Sequence, residues 1–404
     1  MTPRPRPRPR LLVLASTYPR WAGDAEPGFV HELARRLTDR FDVTVLGPHA
    51  SGAAARESLN GVDVVRYRYA PQRFESLVND GGIVSNLKRD RWKWLLLPGF
   101  MLMQAWSTWR LIRQVRPDVI HAHWLLPQGL LVVLIGLVEP LTPPLVVTSH
   151  GADLFALRMR PLQALKRFVA KRAAALTVVS GAMRDELVRT GIDLAKVHVE
   201  PMGVELRDLF SPDTNSKRSR DEILFVGRLV EKKGLRHLID AMPAIVRGYP
   251  SARLTIAGFG PEELARREQV RQLGLIDRVA FLGAVPQGDL PTLYRRAAVF
   301  VAPFVRTPSG DQEGLGLVLV EAAGCGCPIV AGDVPAVRDV VYDATIGVLV
   351  RSRDARELAD AVCAVLHVPV ADEAVAARVQ AVQHFDWRQR ADAYAALLGA
   401  QVGE

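Results

Sequence analysis

Cysteine is scarce in this chain of 404 residues, which has three: Cys325, Cys327 and Cys363. So odd and sparse a set builds no disulfide framework and supplies too few ligands for a structural zinc site, so reduced core thiols are expected. An uninterrupted apolar run of membrane-spanning length, about twenty residues, is also missing. The longest candidate, Leu125 to Val147, is broken by Pro127, Pro140, Pro143 and Pro144 and contains Glu139, which leaves a buried helix and a strand. The apolar LLVLAS near the start is too short for a signal-peptide core and lacks a small-residue cleavage site, so the expectation is a cytoplasmic protein. No short-period repeat occurs, and the phosphate-loop patterns GxGxxG and GxxxxGKS/T are absent after the first apolar run.

What is present is the composition of an ordinary folded protein, with 49% hydrophobic and 24% charged residues. The length exceeds that at which single cores stop growing, so two domains of roughly 200 residues, facing a cleft, are expected. An excess of 52 Lys+Arg over 43 Asp+Glu gives +9, which permits a phosphate-bearing ligand, an anionic membrane or nucleic acid. Charge alone does not choose among them. Residues 1–10, MTPRPRPRPR, alternate Pro and Arg and predict an extended, disordered basic tail.

Leu11 to Ala15 is a continuous apolar run of strand length, and a helix is expected from about Gly28 to Asp39. FDVTVLG, VDVVRYR, DVIHAHW, PLVVTSH, LTVVSG and VHVEPMGV follow, spaced widely enough for helices between them. After the polar LRDLFSPDTNSKRSRDE the pattern restarts with EILFVGR, ARLTIAG, RVAFLG, AVFVAP, CPIVAG and IGVLV. This alternation predicts an α/β protein of two Rossmann-like, doubly wound parallel sheets. The expected divisions are an N-terminal domain over 11–203, a C-terminal domain over 204–383 and a final helix over 384–404 that packs back toward the first domain. In such sheets ligands bind beyond the carboxyl ends of the strands.

Four segments carry the candidate chemistry. In Glu313-Gly-Leu-Gly-Leu-Val-Leu-Val-Glu321, Gly314 and Gly316 open a helix whose first-turn N–H groups make a seat for a diphosphate. Two glutamates at that spacing are, by themselves, equally a solvated helix face. In GRLVEKKG, a strand end delivers Arg228 and the next helix begins near Lys233, so two cations converge on one diphosphate or simply decorate the surface. Ser149-His150-Gly151-Ala152-Asp153 ends a buried strand in polar groups, which are costly there unless used. Gly28, at a helix start, permits close backbone approach to a ligand. His121 and His123 alternate onto one strand face without an evident third metal ligand, which favours a structural or acceptor-side role.

These elements, with DVIHAHW, VEPMGV and RVAFLGAVP, stand in the order and spacing of family 4 of the retaining GT-B glycosyltransferases, which the chain resembles along nearly its whole length. The resemblance implies a nucleotide-diphosphate-sugar donor, of UDP or GDP type, held by Arg228, Lys233, Glu313, Gly314, Leu315, Gly316, Leu317 and Glu321, with Glu321 on the ribose. It implies that His150 positions the transferring sugar, so that His150, Glu313, Arg228 and Lys233 form the catalytic set. Gly28 lines the acceptor side, where His123 and Asp153 are also placed. Two departures are visible: Gly332-Asp333-Val334-Pro335 replaces a Gly-Gly pair found in many relatives, and PMGV replaces the commoner PNGV.

For a retaining enzyme the resemblance favours same-face attack assisted by the leaving phosphate over a covalent glycosyl-enzyme. No cofactor or metal is expected, since Arg228 and Lys233 supply positive charge. A glycan, lipid-linked or polysaccharide-precursor acceptor is expected. Arg91-Trp-Lys-Trp-Leu95 and the basic run Arg158, Arg160, Lys166, Arg167, Lys171 and Arg172 suit peripheral contact with an anionic membrane, or are solvated helix faces. The rivals are a nucleotide-sugar epimerase on the same scaffold and a basic nucleic-acid-binding protein, against which stand dispersed charges and no nucleic-acid module. A dehydrogenase is weaker, since Gly258-Phe-Gly260-Pro lacks the third glycine.

Overall fold

The computed structural model describes residues 8–24, 28–79, 82–155, 157–213 and 215–403, the side chains of Val84, Ser85 and Lys88 excepted. Of the expected basic tail, residues 1–7 lie outside the described residues. Its last residues are folded rather than disordered: Arg8 Nη1 donates to Thr38 O at 2.6 Å, Asp42 N donates to Pro9 O at 2.9 Å, and the first strand already begins at Arg10.

The chain divides into two compact units. The first takes the chain up to Val179, Met183–Glu200 and the chain from Arg390, and the second takes Ser180–Ala182 and Pro201–Gln389. The division therefore falls at Glu200 and Pro201 rather than after residue 203, and the second unit runs past 383 to Gln389. Backbone pairing explains both shifts. Val204 N donates to Phe385 O at 2.9 Å, Trp387 N donates to Val204 O at 3.1 Å, and the Trp387 ring lies so close over Gly203 that a Cβ there would meet it at 2.5 Å. The last helix, Trp387–Gly399, crosses the division: in the first unit its Tyr394 hydroxyl donates to Glu200 O at 2.7 Å.

The first unit holds β1 (Arg10–Leu14), β2 (Asp42–Pro48), β3 (Arg56–Leu59), β4 (Val62–Tyr67), β5 (Val119–His123), β6 (Leu145–Ser149), β7 (Ala175–Val178) and β8 (Val197–Val199). They lie in the order β3-β4-β2-β1-β5-β6-β7-β8, every pair parallel except β3 with β4. The short hairpin strand RESL was not foreseen, because its polar residues show no apolar run. It closes the edge with charge, a common protection against stray strand pairing.

The second unit holds β9 (Glu222–Val226), β10 (Arg253–Ala257), β11 (Val279–Gly283), β12 (Val299–Ala302), β13 (Ile329–Gly332) and β14 (Gly347–Val350), all parallel, in the order β11-β10-β9-β12-β13-β14. Central strands such as EILFV are buried at every position, whereas the edge strand VAFLG is only partly covered, as a sheet wrapped on both faces requires. One face is covered by the helices Leu235–Gly248 and Ala355–His367, whose Leu238, Met242, Ile245, Leu358 and Val362 join Ile223, Phe225 and Ile256 in one core. Cys325 and Cys327 are buried free thiols, while Cys363 keeps some exposure.

In each sheet the chain builds outward one way and then returns to build the other way. That reversal falls between β1 and β5 in the first unit and between β9 and β12 in the second. Beyond the carboxyl ends of strands flanking a reversal, neighbouring loops part and leave a crevice.

Candidate active site

At the reversal point of the second unit, Arg228 follows β9 and Phe304 follows β12. The short helical turn Glu231–Lys233 ends at Gly234, whose φ of +72° suits glycine and whose Cβ would lie 1.7 Å from Pro303 O. That contact presses the turn against the end of β12 and lays Lys233 Nζ over the Phe304 ring, 4.8 Å from its centre. Lys233 Nζ also stands 2.8 Å from Glu313 Oε2, an ion pair off the hydrogen-bonding direction. The neighbouring Lys232 reaches the loop residue Asp311 at Oδ1, 3.2 Å away, which makes a second ion pair.

Burial alone would raise the Glu313 carboxyl, but Lys233, Lys232 and Arg228 overcome it and hold it down to about 2. Three cations thus converge on one carboxylate, the electrostatic setting of an anion site. Gly314, Leu315 and Gly316 are buried in the bend that follows. Gly316, at φ +88°, starts the helix Leu317–Gly324, and a Cβ on it would press on Phe304 at 3.0 Å. The helix start therefore lies against the same phenylalanine as Lys233. Its first turn has N–H groups with no acceptor inside the helix.

Glu321 sits farther into that helix and is buried. Its two oxygens accept from Gln287 Nε2 at 3.0 Å and Tyr294 Oη at 2.9 Å. Burial pushes its carboxyl up, against those two bonds and Lys233. The two glutamates of the motif are thus set apart: one is firmly ionised by cations, and the other is held by neutral donors. Gln287, Tyr294 and Phe304 were not singled out in the sequence, where no spacing ties them to the motif.

In the first unit the sheet brings Gly28, His123 and His150 together. His123 ends β5, His150 follows β6, and His123 Nδ1 lies 2.8 Å from His150 Nε2. Phe29, next to Gly28, packs on the His150 ring at 4.8 Å between centres, and Trp124 packs on it at 5.1 Å. Trp124 holds φ +81°, a strained backbone for a bulky residue of the kind that gathers at functional sites. Burial pushes both imidazoles far down, His150 to about 3, with neighbouring His121 adding to it. Both rings are therefore neutral near pH 7, and one donates to the other. His121, on the same strand face with its ring 4.3 Å from that of His123, bonds Thr148 Oγ1 at 2.7 Å.

Among the described residues a Cβ on Gly28 would meet nothing within 4 Å. Asp153, expected on the acceptor side, is engaged internally: buried, it accepts from Leu125 N and from Ser149 Oγ, each at 2.7 Å. It ties the loop after β5 to the end of β6 and so braces His150 from behind. Of the two departures, Asp333 pairs with Arg338 at 2.7 Å, and Met202 is buried. Among the described residues no three His, Cys, Asp or Glu side chains come together to hold a metal ion, and no helix is long and apolar enough to cross a membrane.

The family model described as "Glycosyltransferase Family 4" matches residues 29–208, and the one described as "Glycosyl transferases group 1" matches residues 207–381. Glycogen synthase of Mycobacterium tuberculosis is 29% identical over 397 residues, covering 93% of this chain and 91% of that protein. Phosphatidyl-myo-inositol mannosyltransferase of Mycobacterium leprae is 32% identical over 275 residues, covering 67% of this chain and 70% of that protein. Among solved structures, sucrose-phosphate synthase from Thermosynechococcus elongatus superposes with a TM-score of 0.75 at 21% identity, over 97% of this chain and all of that one. The Anabaena protein HepE, solved in complex with UDP, superposes with a TM-score of 0.71 at 20% identity and the same coverage of this chain.

Proposed function

The chain belongs to glycosyltransferase family 4 and has the GT-B fold, and from that premise we propose that it moves a sugar from a nucleotide-diphosphate donor to a glycan or lipid-linked acceptor with retention of anomeric configuration. The observation that carries the reading is the convergence of Arg228, Lys232 and Lys233 on Glu313 beside the start of helix Leu317–Gly324. That is where a sugar-linked diphosphate would find cations for its oxygens, N–H groups for its phosphate and a carboxylate for its sugar hydroxyls.

In the proposed reaction the sugar–phosphate bond breaks and its electrons pass to the diphosphate, whose growing charge Arg228 and Lys233 stabilise. The acceptor hydroxyl attacks from the face the phosphate is leaving and gives its proton to that phosphate. Glu313 orients the sugar and does not attack it. His150, neutral, offers a hydrogen bond to the sugar, and Glu321 takes the ribose. Positive side chains supply the charge that a divalent ion supplies elsewhere, so the proposal needs no metal. The free, buried thiols of Cys325 and Cys327 support a cytoplasmic setting for the proposed activity.

Relatives speak to the donor class only by name. One is named as GDP-mannose-dependent, while HepE was solved with UDP, so both UDP and GDP families belong in the test. The relatives above are named for synthesis and transfer, which argues against the epimerase alternative. The test is a thermal-shift screen of UDP, GDP, ADP and their sugar conjugates, without added metal, on wild type and Arg228→Ala. A ligand at about 100 times its dissociation constant adds about 2.7 kcal/mol of stability. One nucleotide family should shift wild type and not the variant. A shift with oligonucleotide alone would overturn the reading.

A further inference from the structure

The helix Leu97–Val115 buries one stripe, Phe100, Gln104, Thr108, Leu111 and Ile112, against its own unit. The stripe opposite, read along the axis, is Leu102, Trp106, Arg110 and Arg113, and all four are exposed. Just before it, the turn Arg91–Leu96 directs Lys93 inward to Asn86 Oδ1 at 3.2 Å, while Trp94 and Leu95 stand 58% and 81% exposed. Large apolar groups gathered on one surface in this way mark an interaction site.

Internal bonds widen this surface. Trp106 stacks on Trp109 at 5.0 Å between ring centres, and Trp109 Nε1 donates to buried Glu139 at 2.9 Å. Glu139 belongs to the segment on which Leu137, Val138 and Leu141 are exposed, so that segment, expected to be part of a buried helix, joins the helix face instead. On the other flank Trp92 meets Phe74, and Arg73 stacks on Phe74 at 4.8 Å.

Charge selects the partner. From Arg91 to Arg116 stand five basic residues and no acidic one. The carboxylates that flank this stretch are already paired, Asp90 with Lys93 at 3.0 Å and Asp118 with Arg10 at 3.6 Å, and Glu139 is buried and bonded. We propose that this face docks on an anionic lipid bilayer, with the tryptophans and leucines entering the headgroup region and Arg91 and Arg110 meeting lipid phosphates. A two-fold pairing with a second copy would set this cationic strip against itself. The other basic run considered for the membrane does not contribute in the same way. Lys166 is buried and donates to Leu154 O and Leu157 O, and Arg158 pairs with Glu186. The proposal deepens the lipid-linked acceptor part of the reading above and rests on it for its purpose. Its test involves no sugar transfer, so either can fail alone.

The full chain is sedimented with vesicles of phosphatidylcholine alone and of phosphatidylcholine mixed with phosphatidylglycerol, while tryptophan fluorescence is followed. Wild type should partition onto the anionic vesicles at least tenfold more strongly, with a blue shift in emission. Trp94→Ser with Trp106→Ser should lose both effects at least tenfold. Arg91→Gln with Arg110→Gln should lose about fivefold for each arginine, with unchanged melting temperatures. Equal binding to both vesicle types, or binding that the substitutions leave unchanged, overturns the proposal. So does a dimer seen by light scattering that the same substitutions dissolve while vesicles bind nothing.

Discussion

Lys233 holds two partners at once, Glu313 Oε2 at 2.8 Å and the face of Phe304 at 4.8 Å, and its backbone is pinned by Gly234 against Pro303. A cation so placed needs no search to meet an anion arriving at the helix start. Arg228→Ala or Lys233→Ala should each lower kcat/KM by about 10²–10³, the usual loss when one electrostatic contact to a developing charge is removed. Steady-state kinetics with the donor found in the thermal screen read this. A loss below threefold in both would show that the diphosphate sits elsewhere.

The Glu313 pair also has a pH signature. Its carboxyl titrates at about 2 in the fold against an ordinary 4.5, so the unfolded chain binds more protons in that interval and stability rises with pH there. The contribution, roughly 3 kcal/mol by linkage, is complete above about pH 4.5 and is lost as pH falls toward 2. Glu313→Gln should flatten that part of a melting-temperature series run against pH. An unaltered slope would mean that the ion pair does not govern it.

His150 should show no titration where activity is usually measured. Burial holds it near 3, so the profile from pH 5.5 to 8 should lack a limb from this ring, and a limb near 6.5 that His150→Asn removes would contradict the neutral pair. His123→Ala removes the bond that fixes the His150 ring. It should lower kcat by about tenfold, the worth of one hydrogen bond, with the donor KM little changed, as expected of a positioning residue.

Two glycines separate site from scaffold. Gly28→Ala adds a methyl group that meets none of the described residues, at an ordinary φ of −87°, so the melting temperature should stay put while kcat/KM falls if an acceptor approaches there. Gly234→Ala meets Pro303 O at 1.7 Å and needs φ +72°, so loss of several kcal/mol of stability, or failure to fold, is expected. A Gly28→Ala enzyme with full activity would remove this residue from the acceptor side.

Much was written in the sequence because it is local. Short apolar runs at regular spacing announce parallel strands, and Gly316 before Leu317 announces a helix start, since both depend only on neighbours along the chain. Glu313, Glu321, Arg228 and Lys233 could be picked out for the same reason. What each does there was decided by sheet order. Placing β9 beside β12 brings Lys233 onto Phe304 and Glu313, and folding Gln287 and Tyr294 onto Glu321 joins residues 34 and 27 positions away. The inward turn of Asp153, the hairpin at β3 and the exposure of Trp94, Leu95 and Trp106 belong to the same class. Burial and pairing are properties of the packed layers, and hydropathy along a chain cannot say which apolar side chain will find a neighbour to cover it.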